Sequence, residues 1–192
     1  MERTALVTGS ANRVADVGDA LEKAGFSVTR ATDGDGLAAA CSAIAPRNLD
    51  CYVQLPRETV VHGESLIDRV RQFLAEGLLA RFAAAATVAP LLTPEATVVL
   101  VAGNLPGAST PDDRHARIDL LRVLARAILA ECEESDVRAV VVGYDRTPEE
   151  IVEIALKRGK EQHRAAKVAA LPPDLNYEDW QKEYLTLTTQ EE

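Results

Sequence analysis

The chain has 192 residues, 47% of them hydrophobic and 4% aromatic, enough apolar material for one sizeable core without a second. Lys plus Arg total 21 against 30 Asp plus Glu, and the formal net charge of -9 argues against nonspecific binding to nucleic acid or to an anionic membrane surface. The three cysteines, Cys41, Cys51 and Cys132, are odd in number and show no C-x-x-C spacing, so they read as reduced core thiols of a cytoplasmic protein.

Met1-Glu2-Arg3 leads straight into a strand expected over residues 5–8, with no apolar segment and cleavage site of a secretory leader. A helix over 14–24 follows, with Gly25 as its stop, then a strand over 26–31, a short helix over 37–44 and a strand over 51–55. Residues 64–92 read as a long helical stretch, apolar around much of its circumference, with Arg69, Arg71, Glu76 and Arg81 marking the wetter side. Arg81 also breaks the run rich in Leu and Ala, so no uncharged segment is long enough to span a bilayer.

A strand over 98–103 precedes a second long helix, opened by Thr110-Pro111-Asp112-Asp113 and running to about residue 134. Residues 137–142 form an unbroken apolar run, the pattern of a strand buried on both faces. Thr147-Pro148-Glu149-Glu150 then supplies a capping box for a last helix. Its basic continuation, Lys157, Arg158, Lys160, Arg164 and Lys167, reads as a solvated face. This alternation of strands and helices predicts an α/β fold, a three-layer, doubly wound, mostly parallel sheet. The domain is expected over 1–171. Pro172-Pro173 separates it from an acidic and aromatic tail, 172–192, in which Tyr177, Trp180 and Tyr184 are the expected docking residues, against the same domain, a sister subunit or another protein.

Residues 5–15, Ala-Leu-Val-Thr-Gly-Ser-Ala-Asn-Arg-Val-Ala, resemble the strand, turn and helix start of the T-G-x-x-x-G-x-G signature of short-chain dehydrogenases/reductases. Thr8 and Gly9 match, whereas Arg13 and Ala15 stand in the places of the second and third glycines, where the backbone approaches a pyrophosphate and the helix packs on the strand. Residues 49–56 are similar to the strand that ends in N-N-A-G, with Gln54, Leu55, Pro56 and Arg57 at those four places. Gly77 occupies the place of the family's structural asparagine, and the strand ending in Ala102 and Gly103 offers no hydroxyl where the catalytic serine belongs. The stretch Arg126-Ala127-Ile128-Leu129-Ala130-Glu131 resembles R-A-L-A-x-E and puts Arg114 and Ile118 at the Tyr and Lys of the catalytic pair; a shift of one gives His115 and Asp119. Too few residues separate Thr32 from Asp50 for the strand and helix the family has there, so the Rossmann-like fold is expected to lack one strand–helix unit, the one carrying the adenine-contacting acid.

The resemblance implies a Rossmann-like frame whose two long helices form an oligomer interface, the small residues Ala83, Ala84, Ala85 and Ala86 allowing close approach. It leaves no residue in a catalytic role. The expected function is therefore an inactive relative acting as a scaffold, assembly subunit or regulatory partner, with no cofactor, as a homo-oligomer or in a hetero-oligomer with an active relative or another protein. Two alternatives stand beside it. One is an NAD- or NADP-dependent oxidoreductase in which His115 is the acid, oriented by Asp119 one helical turn on. The other is a sensor holding a small anion in the remnant nucleotide crevice, formed by Thr8, Gly9, Ser10, Asn12, Arg13 and Arg30, although both arginines could equally pair with surface acids. Asp33-Gly34-Asp35-Gly36 reads as a turn because Leu37 takes the third calcium-ligand place. His62, His115 and His163 form no zinc pattern, and there is neither a G-x-S-x-G elbow nor a P-loop.

Overall fold

A computed structural model describes residues 3–32, 34–56, 79–103 and 111–157, with residues 65, 67, 68, 71 and 77; at 34, 35 and 111–117 it describes the backbone alone. These residues belong to the compact unit Met1–Arg158. In chain order they form β1 (Arg3–Thr8), α1 (Ala11–Lys23), β2 (Phe26–Ala31), α2 (Gly34–Ala43), β3 (Leu49–Gln54), α3 (Ala80–Val88), a 3-10 turn (Ala89–Leu91), β4 (Leu92–Val101), α4 (Pro111–Glu131), β5 (Arg138–Val142) and α5 (Pro148–Leu156).

All five strands are parallel, in the order β2-β1-β3-β4-β5. Successive strands separated by helices cannot pair through tight turns, so each helix must cross a face of the sheet. The side-chain period of two then sorts each strand between two cores. Leu6, Tyr52, Val98 and Leu100 point to the side covered by α2, α3 and α4, where Ala40, Ala85, Leu121 and Leu124 meet them. Val7, Cys51, Val53, Val99 and Val101 point to the opposite side, where Val14, Val17 and Leu21 of α1 pack with Ile151 and Val152 of α5. The three-layer, doubly wound expectation holds, and the sheet has no strand between β2 and β3 in sequence among the described residues.

Local chemistry explains the ends of the elements. Gly25 sits at φ 90° after the last turn of α1, a conformation that costs glycine nothing. Thr147 accepts a hydrogen bond from the Glu150 amide at 3.2 Å while the Glu150 carboxylate accepts from the Thr147 amide at 2.9 Å, completing the expected capping box of α5.

Two expectations for the long apolar stretch need correction. The helix ends at Val88 instead of near residue 92, because Pro90 disfavours a helical residue before it; the chain tightens into the 3-10 turn, and β4 starts at Leu92, paired with Leu49. Arg81, expected on the wet side, is buried with only 8% of its surface exposed. Most of the expected helix before Ala80 lies outside the described residues. Among the described residues, no helix is long and apolar enough to cross a membrane.

Candidate functional site

In an open parallel sheet, ligands bind beyond the C-terminal strand ends where the connections change direction. Here that point lies between β1 and β3, since the chain passes from β1 outward to β2 and then back across to β3. The ends meeting there are Thr8-Gly9 and Gln54-Leu55.

The turn after β1 is held by its neighbours. The Gly9 amide donates to the Ala31 carbonyl at 3.3 Å, the Ser10 amide to the Pro56 carbonyl at 3.2 Å, and the Leu55 amide to the Thr8 carbonyl at 2.8 Å. Gly9 has φ 142°, and a Cβ added there would lie 2.6 Å from the Leu55 Cβ, so both conformation and space demand glycine. Pro56 also lies against Gly103, where an added Cβ would stand 3.0 Å from the Pro56 Cβ. A side chain at Gly103 would press on that proline.

The two arginines expected near the crevice point elsewhere. Arg13 donates to the carbonyls of Tyr144 and Arg146 at 2.6 and 2.7 Å, and its guanidinium carbon lies 4.4 Å from the centre of the Tyr144 ring. Arg30 reaches over α1 to Asp19 at 2.8 Å and Glu22 at 2.7 Å. These bonds, that with Glu22 foremost, raise the pKa of Arg30, and the Arg30 hydrogen bond in turn lowers that of Glu22. Gly18 makes this possible, since a Cβ there would run into the Arg30 guanidinium. Asn12 is exposed and Ser10 half-buried. Asp119 pairs with Arg122 at 2.9 Å; the side chains of Arg114 and His115 lie outside the described residues, as do His62, His163, Tyr177, Trp180 and Tyr184.

Thr8 and Gly9 instead face a cavity of about 270 Å³ on the α2–α3 side of the sheet. Ala31, Leu37, Gln54 and Leu55 continue its wall, and α3 closes it with Ala80, Arg81, Ala83, Ala84 and Thr87. Ala83 and Thr87 are exposed, so the cavity opens to solvent along that helix.

Its floor is polar and connected. Thr8 Oγ1 lies 3.2 Å from the Tyr52 hydroxyl, which accepts from Gln54 Nε2 at 3.0 Å. Gln54 Nε2 also donates to the Arg81 carbonyl at 2.9 Å, while Arg81 returns Nε to Gln54 Oε1 at 2.9 Å and Nη2 to the Gln54 carbonyl at 3.1 Å. The strand period places Tyr52 and Gln54 on one face, and α3 lowers Arg81 onto both. Burial lowers the Arg81 pKa to about 10, and burial likewise pushes the Tyr52 phenol up, so at neutral pH the pair is a charged guanidinium beside a neutral phenol.

Sequence reasoning missed Arg81 although a signal was present. Arg81, Ala85 and Val88 share one stripe at i, i+4 and i+7, and the latter two are plainly core residues. Among the described residues no group of three His, Cys, Asp or Glu side chains is placed to hold a metal ion.

No family model matches the chain, and no curated protein is similar to it. Solved structures are. A short-chain dehydrogenase/reductase from Serratia marcescens superposes with a TM-score of 0.61 at 16% identity, covering 83% of this chain and 90% of that one; a variant of it carrying two phenylalanine-to-tyrosine changes gives 0.62 at the same identity and coverage. BdcA from E. coli superposes with a TM-score of 0.51 at 15% identity, covering 80% of this chain and 89% of that one. The chain has the fold of the short-chain dehydrogenases/reductases, on a sheet of five described strands.

Proposed function

We propose that this chain is a non-catalytic protein of short-chain dehydrogenase/reductase fold, working in the cytoplasm as an oligomeric scaffold, assembly subunit or regulatory partner. One observation carries the reading: Leu55 lies against Gly9 in the turn after β1 and Pro56 against Gly103, at the strand ends where the family resemblance would put the cofactor. The residues present do not fit that cofactor. The Gly9 and Ser10 amides are engaged by carbonyls, Arg13 stands where a glycine would let the backbone approach phosphate, and neither Ala102 nor Gly103 brings a hydroxyl. Each lost positioning contact costs roughly 1–2 kcal/mol, and several together lower affinity by orders of magnitude.

The oligomeric part rests on apolar surface. Leu79, Leu120 and Val123 are exposed on or beside the neighbouring helices α3 and α4, the pair expected from the family resemblance to form the interface. Titration of the protein with NADH and NADPH, followed by cofactor fluorescence, tests the reading. The expected result is no saturation below the millimolar range. Saturation at micromolar cofactor would overturn it and favour an oxidoreductase with an unusual active site.

A further inference from the structure

From the cavity beside α3 we infer that the protein binds a small monocarboxylate with a short aliphatic tail, its carboxylate against Arg81. The site shares Thr8 and Gly9 with the remnant nucleotide crevice, but its cation is Arg81 and neither of the two arginines that sequence alone suggested for an anion.

Arg81 is the anomaly that calls for an anion. Buried charges in proteins are paired, because removing an ion from water costs several kcal/mol even after relaxation. Arg81 is 8% exposed, and no carboxylate among the described residues pairs with it; its partners are the neutral Gln54 side chain and carbonyl. With a pKa of about 10 it remains a cation at neutral pH. Nε and Nη2 are engaged, and Nη1 makes no hydrogen bond to a described residue, while the side chain lines the cavity. A guanidinium with two nitrogens already fixed by Gln54 is held in place before a ligand arrives.

The remaining walls set the rest of the chemistry. Pockets for drug-sized ligands measure roughly 300–1,000 Å³, so a cavity of about 270 Å³ suits a short molecule. One cation cannot neutralise a dianion in such a place, which disfavours phosphate and favours a single negative charge. Beside Arg81 and the polar Thr8, Gln54 and Thr87, the lining includes the apolar residues Ala31, Leu37, Leu55 and Ala84, which suit a short aliphatic tail. Both Gln54 Nε2 hydrogens are already donated, to Tyr52 and to the Arg81 carbonyl, so no second donor from that amide invites a more polar ligand.

The test is calorimetric titration of the full chain with butyrate, with butyramide as its uncharged isostere and inorganic phosphate as the rival anion. Saturable binding of butyrate is expected, at least about 10-fold tighter than butyramide or phosphate, the size of effect a lost hydrogen bond to a charged group produces. Arg81→Met should lose that binding. Ala84→Leu, which keeps the charge and fills the space, should lose it too while unfolding remains cooperative, so the test survives if the first variant fails to fold. Absence of butyrate binding, phosphate binding more tightly than butyrate, or Ala84→Leu binding as the parent does would each overturn the inference. Cofactor titration fails or succeeds independently: micromolar NADH binding would overturn the non-catalytic reading and leave this one standing.

Discussion

At the scale of single residues, Gln54 and Arg81 hold each other in a place that neither would occupy alone. Removing one side chain leaves the other buried and short of partners, and the cost falls on the survivor as a lost hydrogen bond plus uncompensated desolvation. Gln54→Leu and Arg81→Met should each destabilise the chain by about 1–3 kcal/mol, and the double variant by clearly less than the sum, because the second change removes the group the first one stranded. Chemical denaturation of the four proteins measures this, and strict additivity would show that the two residues act separately. The pH dependence has a definite sign. Arg81 has a folded pKa near 10, below the ordinary guanidinium value of the unfolded chain, so its burial weighs against folding at neutral pH. The relative stability it contributes is present above the unfolded value and is lost as pH falls through about 10. Cys51 sits at the opposite extreme of reactivity. Burial, with Asp50 beside it, pushes its thiol up to about 12, whereas Cys41 and Cys132 are only half-buried, their thiols raised chiefly by partial burial. A thiol reagent at mild alkaline pH should modify Cys41 and Cys132 in the native protein and reach Cys51 only at the rate of unfolding. Mass spectrometry of the labelled chain would expose a fast-reacting Cys51 and thereby a looser sheet than the structure has.

The elements show where sequence reasoning succeeds and where it stops. β1, α1, β2 and β3 are legible because each has its own period and its own stop, Gly25 being the clearest. The capping box is legible to the residue because its chemistry is local, three positions apart in one turn. Thr147→Ala removes the acceptor for the Glu150 amide and should cost about 1 kcal/mol of stability by thermal unfolding. The Glu150 pKa is lowered, first by the hydrogen bond from the Thr147 amide and then by that from Arg146, so the carboxylate's share of the cap is present above its unfolded pKa. That share is lost as the pH falls through the lower folded value. A Thr147→Ala variant with unchanged stability would mean that the first turn of α5 is fixed by packing alone. The start of β4 is not legible, because Thr93 and Pro94 lack a strand pattern of their own and become extended by pairing Leu92 with Leu49. The cavity is illegible for a related reason: Thr8, Gln54 and Arg81 come from three elements, and only the strand order brings them together. A crevice read from the nucleotide signature alone draws in Arg13 and Arg30, whose partners belong instead to the loop after β5, with Tyr144, and to α1, with Asp19.

For the whole molecule the question is what the outer surface of α3 and α4 does. A helix that only covers a sheet needs one apolar stripe, and these two supply it with Ala85, Val88, Leu121, Leu124 and Ile128. Leu79, Leu120 and Val123 lie outside that stripe and are exposed, Val123 by 52% of its surface. Single exposed apolar residues are ordinary, but Leu120 and Val123 stand three positions apart on one exposed face of α4, a spacing that suits an association surface. Self-association through this face would also set the cavity near the interface, since Arg81 of α3 lines the cavity while Leu79, the residue just before that helix, is exposed. Light scattering at micromolar concentration should therefore return a mass of at least two chains. Val123→Glu, which puts a charge on the exposed face of α4 at a residue outside both cores, should shift the mass to one chain with little change in the circular dichroism of the folded state, since an unpaired charge at a closing interface costs several kcal/mol. A single-chain mass for the parent protein would remove the oligomer from the reading, and an unchanged mass for Val123→Glu would place the interface on another face.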